Sequence, residues 1–243
     1  MNRSMFARLA CISLCLGPGA ALGESWGPLG GSGLSGEYAR WFPDSPLSRI
    51  PLTWAVPGSY LYLENFETGA LTTPGVAIAG DELRFNGNDD SVDTDDGVLD
   101  GSGRSGHDAW AWSTPGISFT FDAGVLGRLP NFAGIVWTDG VNPIVFEAYD
   151  AAGALIVRIT GNHADDRFDG TTADDRFYGL RHDPGIARMV IYEDTTVRHA
   201  GIEVDHLQYA YAIPEPESAA LLLAGLGALG ALSRRRRDTR GAP

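Results

Sequence analysis

Residues 116–122 read Gly116-Ile117-Ser118-Phe119-Thr120-Phe121-Asp122. Apolar and polar side chains alternate without a break. An extended chain therefore puts Ile117, Phe119 and Phe121 on one face and Ser118, Thr120 and Asp122 on the other. This is the signature of a strand with one buried face, and weaker versions of it recur on both sides. Residues 60–66 alternate and residues 83–86 make a short strand. Segments 133–138, 143–149, 154–160, 176–180, 186–193 and 202–211 continue the series. Asp150-Ala151-Ala152-Gly153 supplies a hairpin turn between two of them. No segment shows the 3.6-residue period of an amphipathic helix. About nine strands separated by turn residues predict an all-β domain, an antiparallel β-sandwich of jelly-roll type over residues 59–212.

Ahead of that domain, residues 24–36 are rich in Gly and Ser, and residues 38–57 carry Trp41, Phe42 and Trp54 among prolines. Residues 24–58 therefore read as a flexible and irregular N-terminal segment. Residues 1–23 have the form of a secretory signal peptide: Arg3 and Arg8, an apolar run, then Gly17-Pro18-Gly19 and small residues up to an expected cut after Gly23. Cys11 and Cys15 leave with it, so the remaining domain holds no thiol, and disulfides and Cys-ligated zinc are excluded together. From residue 24 to 213 the chain has 28 Asp and Glu, 11 Arg and no Lys, a net charge of −17. Such a surface repels nucleic acid and attracts cations.

The far end of the chain sets a different problem. Ile213-Pro214-Glu215-Pro216 leads into Ala219 to Leu232, 14 residues without charge, and then Arg234, Arg235, Arg236 and Arg237. As a helix that run spans about 21 Å against a hydrocarbon layer of about 30 Å. The arginines extend it by snorkelling and belong on the cytoplasmic side. We expect a transmembrane sorting helix and a short cytoplasmic tail at 238–243.

The order Pro214-Glu215-Pro216, apolar helix, arginine cluster over residues 213–237 resembles the PEP-CTERM sorting signal. The resemblance implies an exosortase as partner, a membrane enzyme of Gram-negative bacteria that cuts near the Pro-Glu-Pro motif. The chain would be anchored transiently in the inner membrane, then released to the cell surface or exterior. A second resemblance covers about 70 residues of the domain. Ala148-Tyr149-Asp150 with Gly153, and Ile202, Asp205 and Leu207 on the last strand, are similar to jelly-roll modules of extracellular bacterial proteins related to carbohydrate-binding domains. In such modules a last-strand Asp and an early-strand acid share a structural calcium, which points here to Asp205 with Glu64 or Glu67.

Three constellations are candidates for chemistry. Asp89, Asp90, Asp93, Asp95, Asp96 and Asp100 crowd one loop, and clustered carboxylates that fold want a hard cation such as calcium. The spacing around Gly97 breaks the EF-hand pattern, and a solvated acidic loop is the alternative. Asp93, Asp95, Asp96 and Asp100 are the expected ligands, with Glu64 and Asp205. The near-repeat Ala164-Asp165-Asp166-Arg167-Phe168-Asp169-Gly170 and Ala173-Asp174-Asp175-Arg176-Phe177-Tyr178-Gly179 offers either a second cation or sugar-contact loop or a hairpin with internal ion pairs. On the last strand, strict alternation sets Glu203 and Asp205 on one face and His206 on the other. Trp110 and Trp112 are candidates to stack on sugar rings, against the commoner reading of such residues as core.

No Gly-x-Ser-x-Gly elbow or His-Glu-x-x-His spacing is present, so no catalytic residue is named. The sequence leads to an exported, non-enzymatic protein of the extracellular matrix, a glycan-binding or structural module with exopolysaccharide as a partner. An extracellular glycan hydrolase or lyase is the alternative.

Overall fold

The structure, a computed structural model, describes residues 24–30, 58–87, 90–93, 95, 98, 101–140, 143–161, 170–194 and 200–211. The signal peptide, the sorting motif with the helix expected after it, Asp96, Asp100 and residues 164–169 of the first copy of the near-repeat lie outside the described residues. Among the described residues no helix is long and apolar enough to cross a membrane.

Twelve described strands form two antiparallel sheets. In chain order they are β1 (Glu24–Gly30), β2 (Tyr60–Glu64), β3 (Val76–Gly80), β4 (Arg84–Gly87), β5 (His107–Trp112), β6 (Ile117–Phe121), β7 (Phe132–Gly140), β8 (Ile144–Tyr149), β9 (Leu155–Gly161), β10 (Arg176–Arg181), β11 (Arg188–Glu193) and β12 (Gly201–Tyr211). The seven-stranded sheet runs β1-β10-β7-β12-β5-β4, with β2 also on β12; the five-stranded sheet runs β3-β6-β11-β8-β9. One short helix, α1 (Ala123–Leu126), follows β6, with the Asp122 carboxylate accepting from Gly124 N–H at its start.

The alternation of residues 117–121 does what it predicts. Ile117, Phe119 and Phe121 are buried in one cluster, and Ser118 and Thr120 are not. That cluster also takes Ala133, Ile135 and Trp137 from β7, Phe146 from β8, Tyr178 from β10 and Val204, Leu207 and Tyr209 from β12. Residues of both sheets share it, which makes the pair a β-sandwich, and Phe146 stacks on Tyr178 across it at 5.8 Å. Burial of these large side chains is the main driving force for the fold.

A second, smaller cluster sits on the other face of the seven-stranded sheet. Trp26, Val92, Phe132, Val136, Phe177 and Ala210 form it, so the outer face of this sheet is partly roofed by the loop after β4.

The N-terminal segment corrects the sequence reading. Residues 24–58 were expected to be flexible and irregular, yet the segment begins with β1, which pairs with β10 through Trp26↔Gly179 and Leu29↔Phe177. Trp26 explains it: its ring lies parallel to Phe132 at 6.4 Å, and burying one indole outweighs the entropy of the glycines beside it.

Candidate functional site

The site is organised by β12, whose alternation breaks. Val204 and Leu207 both face the core although they are three residues apart. Between Asp205 and Gln208 the pairing with β7 advances three residues on β12 and two on β7, from Val136 to Gly134, so β12 carries a bulge. His206 stands in it with φ 47°. Sequence periodicity set His206 opposite Asp205; the bulge brings both side chains to the outer face, which is where the expectation fails.

Glu203 and Asp205 use that face to hold the Asp-rich loop by its backbone. Asp90 N–H donates to Glu203 Oε2 at 3.3 Å and Val92 N–H to Asp205 Oδ2 at 3.0 Å. Inside the loop, Gly101 N–H donates to Asp93 Oδ1 at 3.0 Å and Ser91 Oγ to the Gly103 carbonyl at 3.0 Å. The loop then bonds to the segment before β10. Gly103 N–H donates to the Gly170 carbonyl at 3.1 Å and Thr172 N–H to the Gly101 carbonyl at 3.2 Å. Two stretches about 70 residues apart in the chain thus meet over one sheet.

Their meeting gathers ionisable side chains. Among the described residues, two groups bring three ligand atoms within 4.8 Å of one another: Asp95, Asp205 and His206, and Asp90, Asp174 and Asp175. In the first, His206 Nε2 lies 2.9 Å from Asp95 Oδ2, while Asp205 Oδ1 accepts from His206 N–H at 2.6 Å. Burial pushes the Asp205 carboxyl up to about 8; Asp95 adds to the rise, and His206 and the N–H groups of Val92 and His206 oppose it. In the second group all three residues are buried. Burial, then the charges of Asp139, Glu203, Asp174 and Asp205, pushes the Asp90 carboxyl up to about 10. Burial and Asp90 act on Asp175 in the same direction.

The remaining expected residues are placed as follows. Glu64 is buried and accepts four hydrogen bonds, from Phe66 N–H, Thr72 N–H, Thr72 Oγ1 and Thr73 N–H. It thereby fastens the turn between β2 and β3. Glu67 accepts from His107 N–H at 2.6 Å. Glu64, Glu67 and Asp93 belong to neither three-ligand group. In the second copy of the near-repeat, Arg176 Nη1 donates to the carbonyls of Ala173 and Asp175. Trp110 and Trp112 alternate with the core residues Ala109 and Ala111, so both indoles are on the outer face, half-buried, with centroids 5.3 Å apart. The Arg84 guanidinium covers Trp110 at 4.9 Å, and Gly201 sits so close to that indole that any side chain there would strike it.

A second surface went unnoticed in the sequence. On the outer face of the five-stranded sheet, Thr114, Pro115, Glu147, Tyr149, Arg188, Tyr192 and Asp194 line a groove of ≈ 310 Å³, at the lower end of ligand-pocket volumes. Register builds it. Glu147 lies between Arg158 on β9 and Val190 on β11, and Tyr149 is opposite Arg188. Glu147 accepts from Tyr149 Oη at 2.5 Å, from Arg158 Nη1 at 2.6 Å and from Tyr192 Oη at 3.3 Å. Arg158 Nη2 reaches Asp194 at 3.3 Å. Burial alone would raise the Glu147 carboxyl, but the Tyr149 hydroxyl and Arg158 hold it below the usual carboxylate range. The one signal available was the alternating polar face of residues 145–149 and 188–192, which local pattern cannot assign to a common groove.

Residues 212–237 match the family model described as the PEP-CTERM protein-sorting motif. Among solved structures, the chain is similar to the K1 cleaved adhesin domain of Lys-gingipain from Porphyromonas gingivalis W83. The match has 13% identity, covers 63% of this chain and 99% of that one, and has a TM-score of 0.40. No curated protein matches the chain.

Proposed function

We propose, from the premise that this chain carries the PEP-CTERM sorting motif of exosortase substrates and is therefore exported, that its β-sandwich is a jelly-roll glycan-binding module. It holds exopolysaccharide at the cell surface or in the extracellular matrix, after transient anchoring in the inner membrane and release by the exosortase. The groove on the five-stranded sheet carries the reading. Sugars present hydroxyls that pair with carboxylates and guanidinium groups, and C–H faces that rest on aromatic rings. Glu147, Asp194 and Arg188 supply the first kind of contact and Tyr192 the second, while the Arg188 guanidinium lies over the Tyr149 ring at 4.1 Å.

The module is read as non-catalytic. A glycosidase needs one carboxylic acid whose pKa is raised so that it can donate a proton. Glu147 is shifted the other way, and Arg158 ties both Glu147 and Asp194. The Asp95, Asp205 and His206 group is read as a fastening for the loop. Imidazole is a poor partner for calcium, and Asp205 already accepts two backbone N–H groups.

The test is a glycan array probed with the purified protein and with Tyr192→Ala. The expected result is retention on at least one oligosaccharide class, weakened in the variant. Retention on no glycan would overturn the reading.

A further inference from the structure

The Asp90, Asp174 and Asp175 group has properties that an ordinary acidic loop lacks. Asp90 is 2% exposed and Asp175 fully buried. Neither carboxylate oxygen of Asp90 accepts a hydrogen bond among the described residues, although both are shut off from solvent. A buried ionised carboxylate without a partner is strongly unfavourable, and the neighbouring carboxylates of Asp174 and Asp175 add to the cost at Asp90. The loop nonetheless turns them toward one another, through the Gly101–Thr172 and Gly103–Gly170 hydrogen bonds that close the two segments. Glycine at 103 is part of the arrangement: a side chain there would strike the Asp90 carboxylate and the Ser91 carbonyl.

The spacing fits one kind of partner. Ligand oxygens about 2.4 Å from a common calcium ion lie at most about 4.8 Å apart, and these three carboxylates offer atoms within 4.8 Å of one another. All the donors are carboxylate oxygens, which suit a hard cation and disfavour the softer transition metals. Oxygens of Asp139 and Glu203 add to the local negative field.

We propose that Asp90, Asp174 and Asp175 form a calcium site that clamps the loop after β4 to the segment before β10. The site is separate from the groove on the other sheet and does not depend on glycan binding. It also differs from the ligand set expected from the sequence, of which none of these three residues was a member.

The test is calorimetric titration of the purified protein with calcium chloride, together with thermal unfolding in calcium and in chelator. It compares the native sequence with Asp90→Asn and Asp95→Asn. The native protein is expected to bind calcium and to melt about 5–10 °C higher at a hundredfold excess over its Kd. Asp90→Asn should lose at least about tenfold in affinity and melt no lower than the native protein in chelator, because without metal an amide is no costlier to bury among these carboxyl groups than the carboxyl it replaces. That last comparison also shows that the variant folds. Asp95→Asn should bind as the native protein does. No calcium binding, binding unchanged in Asp90→Asn, or binding abolished only in Asp95→Asn would each overturn the proposal.

Discussion

Glu64 separates two accounts of the early-strand acid, as a calcium ligand beside Asp205 or as the fastening of a turn, and Glu64→Gln tests them. Its Oε2 accepts from Thr72 N–H at 2.5 Å, Thr73 N–H at 2.8 Å and Thr72 Oγ1 at 3.0 Å, and its Oε1 from Phe66 N–H at 3.2 Å. The best an amide can do is turn its oxygen toward Thr72 and Thr73. Its NH₂ then faces the Phe66 N–H, donor against donor. One buried N–H goes unsatisfied, costing about 1–3 kcal/mol, and three charge-assisted bonds become neutral ones, partly offset by easier burial of the amide. The net loss should be about 2–3 kcal/mol. For a domain of this size that lowers the melting temperature by about 4–12 °C. Thermal unfolding followed by circular dichroism, with calcium and with chelator, reads the effect. The drop should be the same in both buffers. A drop that appears only with calcium would restore Glu64 as a ligand, and a shift under about 2 °C would refute the hydrogen-bond argument.

Other consequences are as direct. Gly103→Ala should disrupt the junction of the two loops and destabilise by about 2 kcal/mol or more, since the added carbon meets backbone as well as Asp90; a neutral result in chemical denaturation would contradict the packing described. Trp26→Ala should cost about 3 kcal/mol by removing the indole stacked on Phe132, where a flexible N-terminal segment would give less than about 0.5 kcal/mol. Glu147 has a depressed pKa, so its contribution to stability is present above the unfolded carboxylate value and lost as pH falls through the lower folded one. The melting-temperature gap between the native protein and Glu147→Gln should therefore be widest near neutrality and close below about pH 4. A gap that widens in acid would reverse the sign of the argument.

What the sequence disclosed follows from where each pattern is local. Period two in residues 116–122 sufficed for β6, because Ile117, Phe119 and Phe121 are large and their neighbours polar. β5 escaped notice because its inner face carries only Ala109 and Ala111 while its tryptophans point outward, inverting the usual contrast of size. β3 lacks the contrast for a different reason: Val76 and Ile78 face the core, but Ala77 and Ala79 make its exposed face apolar too. The carboxylates were visible as a composition, but which of them meet depends on the bulge at His206 and on hydrogen bonds between the loops. The groove is less legible still. Glu147 and Arg158 are near in sequence, but Arg188 and Tyr192 reach them only because β11 inserts between β6 and β8.

The glycan-binding account stands most directly on the affinity of the purified protein for a saccharide selected on the array, measured for the native sequence, Tyr192→Ala and Trp110→Ala. Aromatic contacts contribute about 0.5–1.5 kcal/mol beyond area burial. Loss of Tyr192 should therefore weaken binding by about tenfold, while Trp110→Ala leaves it unchanged. Binding that survives Tyr192→Ala and fails in Trp110→Ala would move the site to the other sheet and contradict the account.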